Sequence, residues 1–220
     1  LHTPILKKRQ MLFSYCHIAK AANFLWFENK KTIKILASDE AYIDDVNGSW
    51  KIFNGYKNHI NQYTGWVRIF SPESYPAIQQ KEKIKIAGKW VTEGNESTLV
   101  AKTLKRDVTT AVGGPGYWIW HEEGGIAPKA DSTLQYLAPA LESGNEKSGS
   151  FCIGGSVGDL EACKPLKEFL LKPERYGMLG VPTKWYDETG QIKMCGLFIP
   201  TQYGMPQACD EFGNTLIDVA

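Results

Sequence analysis

A mixed α/β fold with a largely parallel central sheet flanked by helices is what this 220-residue sequence predicts. Three observations carry the prediction. Strand-like runs alternate with helix-like patterns along most of the chain, the signature of β–α–β units. The apolar run Tyr117-Trp118-Ile119-Trp120 reads as a buried strand. The length suits one domain, with room for a small subdomain.

Taken in order, residues 3 to 6 form a short apolar start, the end of a first strand. Tyr15, Ile18, Ala19, Ala22, Leu25 and Trp26 recur at helical spacing, which predicts a helix over 14–28. Thr32 to Ala37 reads as a strand. Ser38 then offers an N-cap, and Asp39 and Glu40 suit a first helical turn. Helical pattern, interrupted at Asn47-Gly48, continues to about Tyr63. Trp66 to Phe70 predicts a short strand, and the Pro-, Gly-, Lys- and Glu-rich stretch 71–96 a surface excursion. Thr98 to Leu104 is the next strand. Gly113-Gly114-Pro115-Gly116 is a strong breaker before the apolar run. Ser132 to Ser143 predicts a helix, Ser150 to Ile153 a strand running into Gly154-Gly155, and Asp159 to Leu171 a helix stopped by Pro173. Met178 to Val181 and Leu197 to Ile199 are late strands.

Composition bounds the function. Hydrophobic residues are 43% and charged residues 22%, enough for an ordinary core. The net charge of +1 does not mark the whole chain as a polyanion binder. Local basic clusters, Lys7-Lys8-Arg9 and Lys102 to Arg106, are the places that would meet phosphate. The five cysteines include no CxxC pair, and the four histidines are scattered. This pattern fits reduced thiols in a cytosolic protein better than a disulfide framework or a zinc site. Nothing marks a signal peptide or a membrane span. The chain opens on Leu rather than Met, as a fragment does.

Three places in the sequence suit chemistry. Glu122-Glu123 follows the apolar run directly, with His121 between, and precedes Gly124-Gly125. Two carboxylates at a strand's C-terminal end lie where α/β folds place their chemistry. One can hold Mg²⁺ and the other can orient an attacking water, the division of labour that nucleotide hydrolysis needs. A solvated acidic turn is the plain alternative. The second place is Lys7-Lys8-Arg9-Gln10-Met11-Leu12-Phe13-Ser14, at the strand–loop–helix position of a P-loop. It keeps the final hydroxyl of GxxxxGK[ST] but neither glycine. Backbone N–H groups and the helix N-terminus there can cradle phosphate. Lys7 would reach the phosphates, and Arg9 would act like an arginine finger supplied in cis. A basic turn capping a helix is the alternative. The third place is Gly154-Gly155-Ser156, where a strand ends in a small polar tip suited to sensing a γ-phosphate. The alternative there is a plain glycine turn.

Order and spacing tie the three together. The acidic strand end lies about 110 residues after the basic turn, and the glycine-rich strand end about 30 residues later. At this point the sequence resembles the ATPase half of the large terminase subunit of tailed bacteriophages. Lys7, with Arg9 and Ser14, is similar to that family's variant Walker A motif, in which lysine stands first, and Arg9-Gln10 also recurs there. Trp118 to Gly125 is similar to its Walker B motif, and Ile153-Gly154-Gly155-Ser156 to its coupling motif. The stretches 170–180 and 196–200 also look like terminase sequence.

The resemblance spans roughly residues 5 to 206 and is strongest over 116–200. It implies a P-loop NTPase of the ASCE type, with Glu122 and Ser14 as Mg²⁺ ligands and Glu123 as the catalytic carboxylate. It further implies ATP and Mg²⁺ as cofactors, and double-stranded viral DNA, the portal of a procapsid and the small terminase subunit as partners. A homo-oligomeric ring in the host cytoplasm follows from the same resemblance. On this reading residues 1–206 are the ATPase domain, truncated at its N-terminus, and 207–220 begin a linker towards an absent nuclease domain. Two departures stand out: Leu12 occupies the usual Gly position, and Glu122 replaces the more usual Asp. Leu12 would crowd the phosphate path. A non-hydrolysing interaction module on a degenerate P-loop fold and a helicase-like ATPase are the competing readings.

Overall fold

The protein is described by a computed structural model. The described residues are 2–7, 12–68, 70–71, 75–104, 107–111, 113–127, 129–143, 146–200, 205, 207–211, 214 and 216. The class is mixed α/β, with a mostly parallel seven-stranded principal sheet and flanking helices.

In chain order the elements begin with β1 (Thr3–Lys7), α1 (Phe13–Phe27), β2 (Thr32–Ala37), α2 (Ala41–Asp44) and α3 (Ser49–Tyr63). There follow β3 (Ala77–Gln79), β4 (Glu82–Ile86), β5 (Lys89–Glu93), β6 (Thr98–Thr103) and β7 (Trp118–Glu122). Next come α4 (Ala130–Leu137), the short strands β8 (Glu142–Ser143) and β9 (Glu146–Lys147), and β10 (Ser150–Gly155). The last are α5 (Lys164–Leu171), β11 (Val181–Tyr186), β12 (Ile192–Cys195) and β13 (Leu197–Ile199). The chain forms two compact bodies, one of Leu1–Phe13, Glu123–Asp131 and Cys152–Ala220, the other of Ser14–Glu122 and Ser132–Phe151.

In the second body β2 is flanked by β7 and β6, both parallel to it, with β3 antiparallel at the edge of β6. The registers Ala37↔Glu122 and Leu36↔His121 set the acidic end of β7 level with the end of β2. All five residues of β7 are buried, as a near-continuous apolar strand in a parallel sheet requires. On α1, Ile18, Ala21, Ala22, Leu25 and Trp26 are buried, an i, i+3, i+4, i+7, i+8 stripe. In the first body β1 lies between β10 and β13, parallel to both. Helix α5 buries Leu166, Phe169 and Leu170.

Several sequence expectations need correction. Ser38 caps nothing: the turn of α2 begins at Ala41, whose N–H donates to Asp39 Oδ1, and Glu40 precedes it without a side-chain cap. The break at Asn47-Gly48 separates two helices, and a side chain at Gly48 would overlap the carbonyl of Ile43. Trp66, Val67, Arg68 and Phe70 are not strand; Ile69 lies outside the described residues. Side chains take their backbone donors instead: Trp66 N–H goes to Thr64 Oγ1 and Arg68 N–H to Asn61 Oδ1, local bonds that compete with a ladder. The surface excursion contains edge strand β3 and an exposed hairpin, β4–β5. Ala87 and Gly88 turn that hairpin with φ of 49° and 80°, the left-handed pair that matches strand twist.

The helix expected over 132–143 begins at Ala130. It passes at Ala138–Leu141 into a 3-10 turn carrying Pro139, whose ring cannot continue an α-helix. The helix expected from Asp159 begins only at Lys164, because Asp159 Oδ2 accepts the N–H groups of Glu161 and Ala162 in a turn. Met178 makes a single bridge with His2, and the strand starts at Val181.

Candidate functional site

The sequence-derived site residues fall into two clusters, one in each body. The first is built on α1 and β7. Ser14 stands in the first turn of α1, and its Oγ donates to Glu122 Oε1 at 2.7 Å. Glu122 is the last residue of β7 and is 4% exposed. Its other oxygen, Oε2, accepts from Ser49 Oγ at 3.1 Å and from Trp120 Nε1 at 2.8 Å. A carboxylate taken out of water this far is costly unless donors replace the lost water, and here three donors do so. Trp120 reaches it because alternate strand residues share a face. The Trp120 ring in turn stacks on His17 of α1, centroids 3.9 Å apart.

His121 points to the other face of β7. It is fully buried, and its Nδ1 lies 3.1 Å from the carbonyl oxygen of Glu122, which requires the proton on Nδ1. Nε2 has no hydrogen-bond partner among the described residues. Burial lowers the His121 pKa to about 4, against two backbone hydrogen bonds that raise it less. The unfolded chain therefore binds a proton here below about pH 6.5 that the native state refuses until about pH 4. Stability should fall as pH drops through that window, by about 2 kcal/mol between pH 7.5 and 5 from this residue alone. Equilibrium denaturation at the two pH values, on the parent and on His121→Gln, checks it. The variant should lose less stability on acidification, and equal losses would remove His121 as the cause.

The second cluster is built on β1, β10 and the turn after β7. Lys7 ends β1, is 6% exposed, and its Nζ lies 3.7 Å from Glu123 Oε1. Glu123 Oε2 accepts from Ser156 N–H at 3.3 Å and Ser156 Oγ at 3.4 Å. The backbone of Glu123 is left-handed, with φ 48° and ψ 51°. Strain of this kind in a non-glycine residue persists only where the surroundings impose it, and it concentrates at functional sites. Gly124, Gly125 and Gly155 impose it here. A side-chain carbon on Gly124 would press on Ile153, one on Gly125 would overlap the carbonyl oxygen of Ser156, and one on Gly155 would crowd the N–H groups of Gly124 and Gly125. Gly154 pairs with Ile5 of β1.

Of the P-loop-like turn, Lys8, Arg9, Gln10 and Met11 lie outside the described residues. Leu12 precedes α1 with φ 54° and a side chain two-thirds exposed. It thus stands in the backbone conformation that favours glycine, a separate reason for glycine at this position besides close approach of phosphate. A left-handed residue with a Cβ costs roughly 1–2 kcal/mol. Leu12→Gly should therefore raise stability by about 1 kcal/mol rather than loosen the chain, read as a higher denaturation midpoint. A lower midpoint would show that Leu12 packs in the native state.

Sequence reasoning missed Ser49, Trp120 and Lys34. Lys34 sits buried on β2, and its Nζ donates to the carbonyls of Gly113 and Gly114 at 2.8 and 3.1 Å, tying down the turn that leads to β7. Burial, then the charge of Lys102, lowers its pKa to about 8. Lys105 and Arg106 of the expected basic cluster lie outside the described residues. The signal for Trp120 was available, since residues i and i+2 of a strand share a face. No signal pointed to Ser49, whose placement depends on how α3 packs.

The described residues contain no helix long and apolar enough to cross a membrane. No family model and no curated protein matches the sequence. Among solved structures, a point mutant of the large terminase ATPase domain of Thermus phage P74-26 aligns over 90% of this chain and 73% of its own, with 11% identity and a TM-score of 0.51. The fold is that of a terminase ATPase domain. The large terminase of bacteriophage HK97 aligns over 84% of this chain at 11% identity and TM-score 0.51, and this chain spans 37% of its length. At such identities the likeness is one of fold.

Proposed function

We propose that this chain is an ATPase whose hydrolysis cycle drives double-stranded viral DNA into a procapsid. The observation that carries the reading is the division of labour between two consecutive carboxylates. Glu122 is bonded to the first-turn serine of α1, while Glu123, in a strained turn, is paired with the lysine that ends β1. The likeness in fold to large terminase ATPase domains supports it.

The donor set suits Mg²⁺, which takes hard oxygen ligands: a hydroxyl and a carboxylate oxygen lie side by side at Ser14 and Glu122. When bound, Mg²⁺ supplies neutralisation of charge on the β- and γ-phosphates. The chain's own residues do the rest. Lys7 places a cation at the strand end that leads into the phosphate-binding turn. Glu123 accepts a hydrogen bond from the attacking water and orients it, its carboxylate held by Ser156. Gly154, Gly155 and Ser156 form the segment through which the state of Glu123 reaches β10. Arg9 is assigned charge stabilisation, and Lys8, Gln10, Met11, Leu12 and Phe13 phosphate binding, by the sequence resemblance alone. The partners on this reading are DNA, the portal, the small terminase subunit and further copies of the chain in a ring in the host cytoplasm.

The test is a comparison of two adjacent lysines. Lys7→Ala should weaken MgATP affinity at least tenfold, and Lys8→Ala less than threefold, in calorimetric titrations, with the lost charge contact costing on the order of 1.4 kcal/mol. Equal, small effects would overturn the assignment of Lys7.

A further inference from the structure

The hairpin β4–β5 is a ribbon with two faces of different chemistry. Every residue of its strands is exposed except Ile84, which is half-buried. Neither outer edge of the ribbon pairs with another strand among the described residues. Its root is fixed. Gln80 N–H donates to the carbonyl of Ser97, and Glu96 N–H donates to the carbonyl of Gln80. A side chain on Gly94 would overlap that same Gln80 oxygen.

Opposite residues of an antiparallel pair share a face. The register sets Lys83 beside Thr92 and Lys85 beside Trp90 on one face. On the other it sets Glu82 beside Glu93, Ile84 beside Val91 and Ile86 beside Lys89. Both carboxylates of the ribbon therefore lie on one face, and the other holds two lysines and no acid. Lys83 and Lys85 stand about 7 Å apart, two residues along one strand. Neither has an ion-pair partner among the described residues, so nothing offsets their mutual repulsion. Trp90 is 70% exposed, and its ring meets no other ring and no cation among the described residues. Lysines on a free edge also discourage association between sheets, but that task calls for no indole among them.

We propose that this face of the ribbon binds duplex DNA. The major groove admits a two-stranded ribbon. Lysines and threonine hydroxyls are ordinary contacts to phosphate. Lys83, Lys85 and Thr92 would meet the backbone, and Trp90 would lie against the apolar edges of the bases. With a net charge of +1 on the whole chain, the attraction has to be local, and the segregated face supplies it. The choice of duplex DNA rests on the packaging reading above, whereas the contact is argued from the ribbon itself.

The test titrates a short fluorescent duplex, one of its single strands, and phosphatidylserine vesicles against the full chain over a range of salt. The duplex should bind more tightly than the single strand. Lys83→Gln combined with Lys85→Gln should weaken duplex binding about tenfold or more. It should also make the plot of log affinity against log salt shallower by about 2, since each phosphate contact adds about 0.9 to the slope. Trp90→Ala should weaken binding about fivefold and leave the slope unchanged, because it removes apolar contact and no charge. Lys89→Gln removes one charge from the opposite face and should cost less than about twofold, against about fivefold for Lys85→Gln. All these side chains are exposed, so each variant should melt with the parent. Equal effects of Lys85→Gln and Lys89→Gln, or an unchanged salt slope in the double variant, would overturn the proposal. So would tighter binding of the single strand, or capture by vesicles alone. A parent that hydrolyses ATP while the ribbon variants bind duplex normally would sink this proposal and leave the packaging reading standing. Ribbon-dependent duplex binding without ATP turnover would do the reverse.

Discussion

Replacing Glu123 with glutamine should lower phosphate release from ATP by about 10² or more and leave nucleotide affinity near the parent value. Glutamine keeps the shape and one accepting oxygen, so Ser156 N–H and Oγ still have a partner. What it removes is the charge that orients water and answers Lys7 at 3.7 Å. The left-handed backbone of residue 123 carries the same cost for either side chain, so folding should not change greatly. That separates this variant from one that merely unfolds. Turnover at the parent rate would show that Glu123 is not the catalytic carboxylate, whatever its geometry.

Gly125→Ala should cost about 3 kcal/mol, among the larger effects that a single methyl group produces. The added carbon would overlap the carbonyl oxygen of Ser156, and backbone must move to relieve it. The same movement draws Ser156 away from Glu123, so nucleotide turnover should fall with stability. Gly55→Ala is the control. Gly55 lies within α3 with nothing near the position of an added carbon, and alanine is the better helix former there by about 1 kcal/mol. Thermal melts of the two variants should shift in opposite directions, with Gly125→Ala lower by roughly 10 °C. A Gly125→Ala protein that melts with the parent would mean that the turn yields easily and does not hold Glu123.

The core elements were legible because periodicity reports burial. Thr32–Ala37 and Leu197–Ile199 were readable as strands to the residue, and α1 nearly so. The acidic pair was legible because an apolar strand must end somewhere, and chemistry gathers at such ends. Where the reading failed, local side-chain bonds had taken over the backbone: Asn61 and Thr64 at 66–68, Asp159 before α5, Asp39 before α2. Their strength depends on geometry that composition does not report. Leu12 is largely exposed, and its left-handed backbone is a constraint that composition does not report. Ser49 and Lys34 depend on packing between elements distant in sequence. No window of residues carries that information.

The central claim is that the paired carboxylates serve ATP hydrolysis, and phosphate release from ATP by the purified chain, with and without Mg²⁺, tests it most directly. The account predicts steady release that stops on chelation and recovers when Mg²⁺ is restored, with Ser14→Ala needing more metal for half-maximal rate. Nucleotide bound without turnover at any Mg²⁺ concentration, or turnover indifferent to Mg²⁺ and to Ser14, would contradict it.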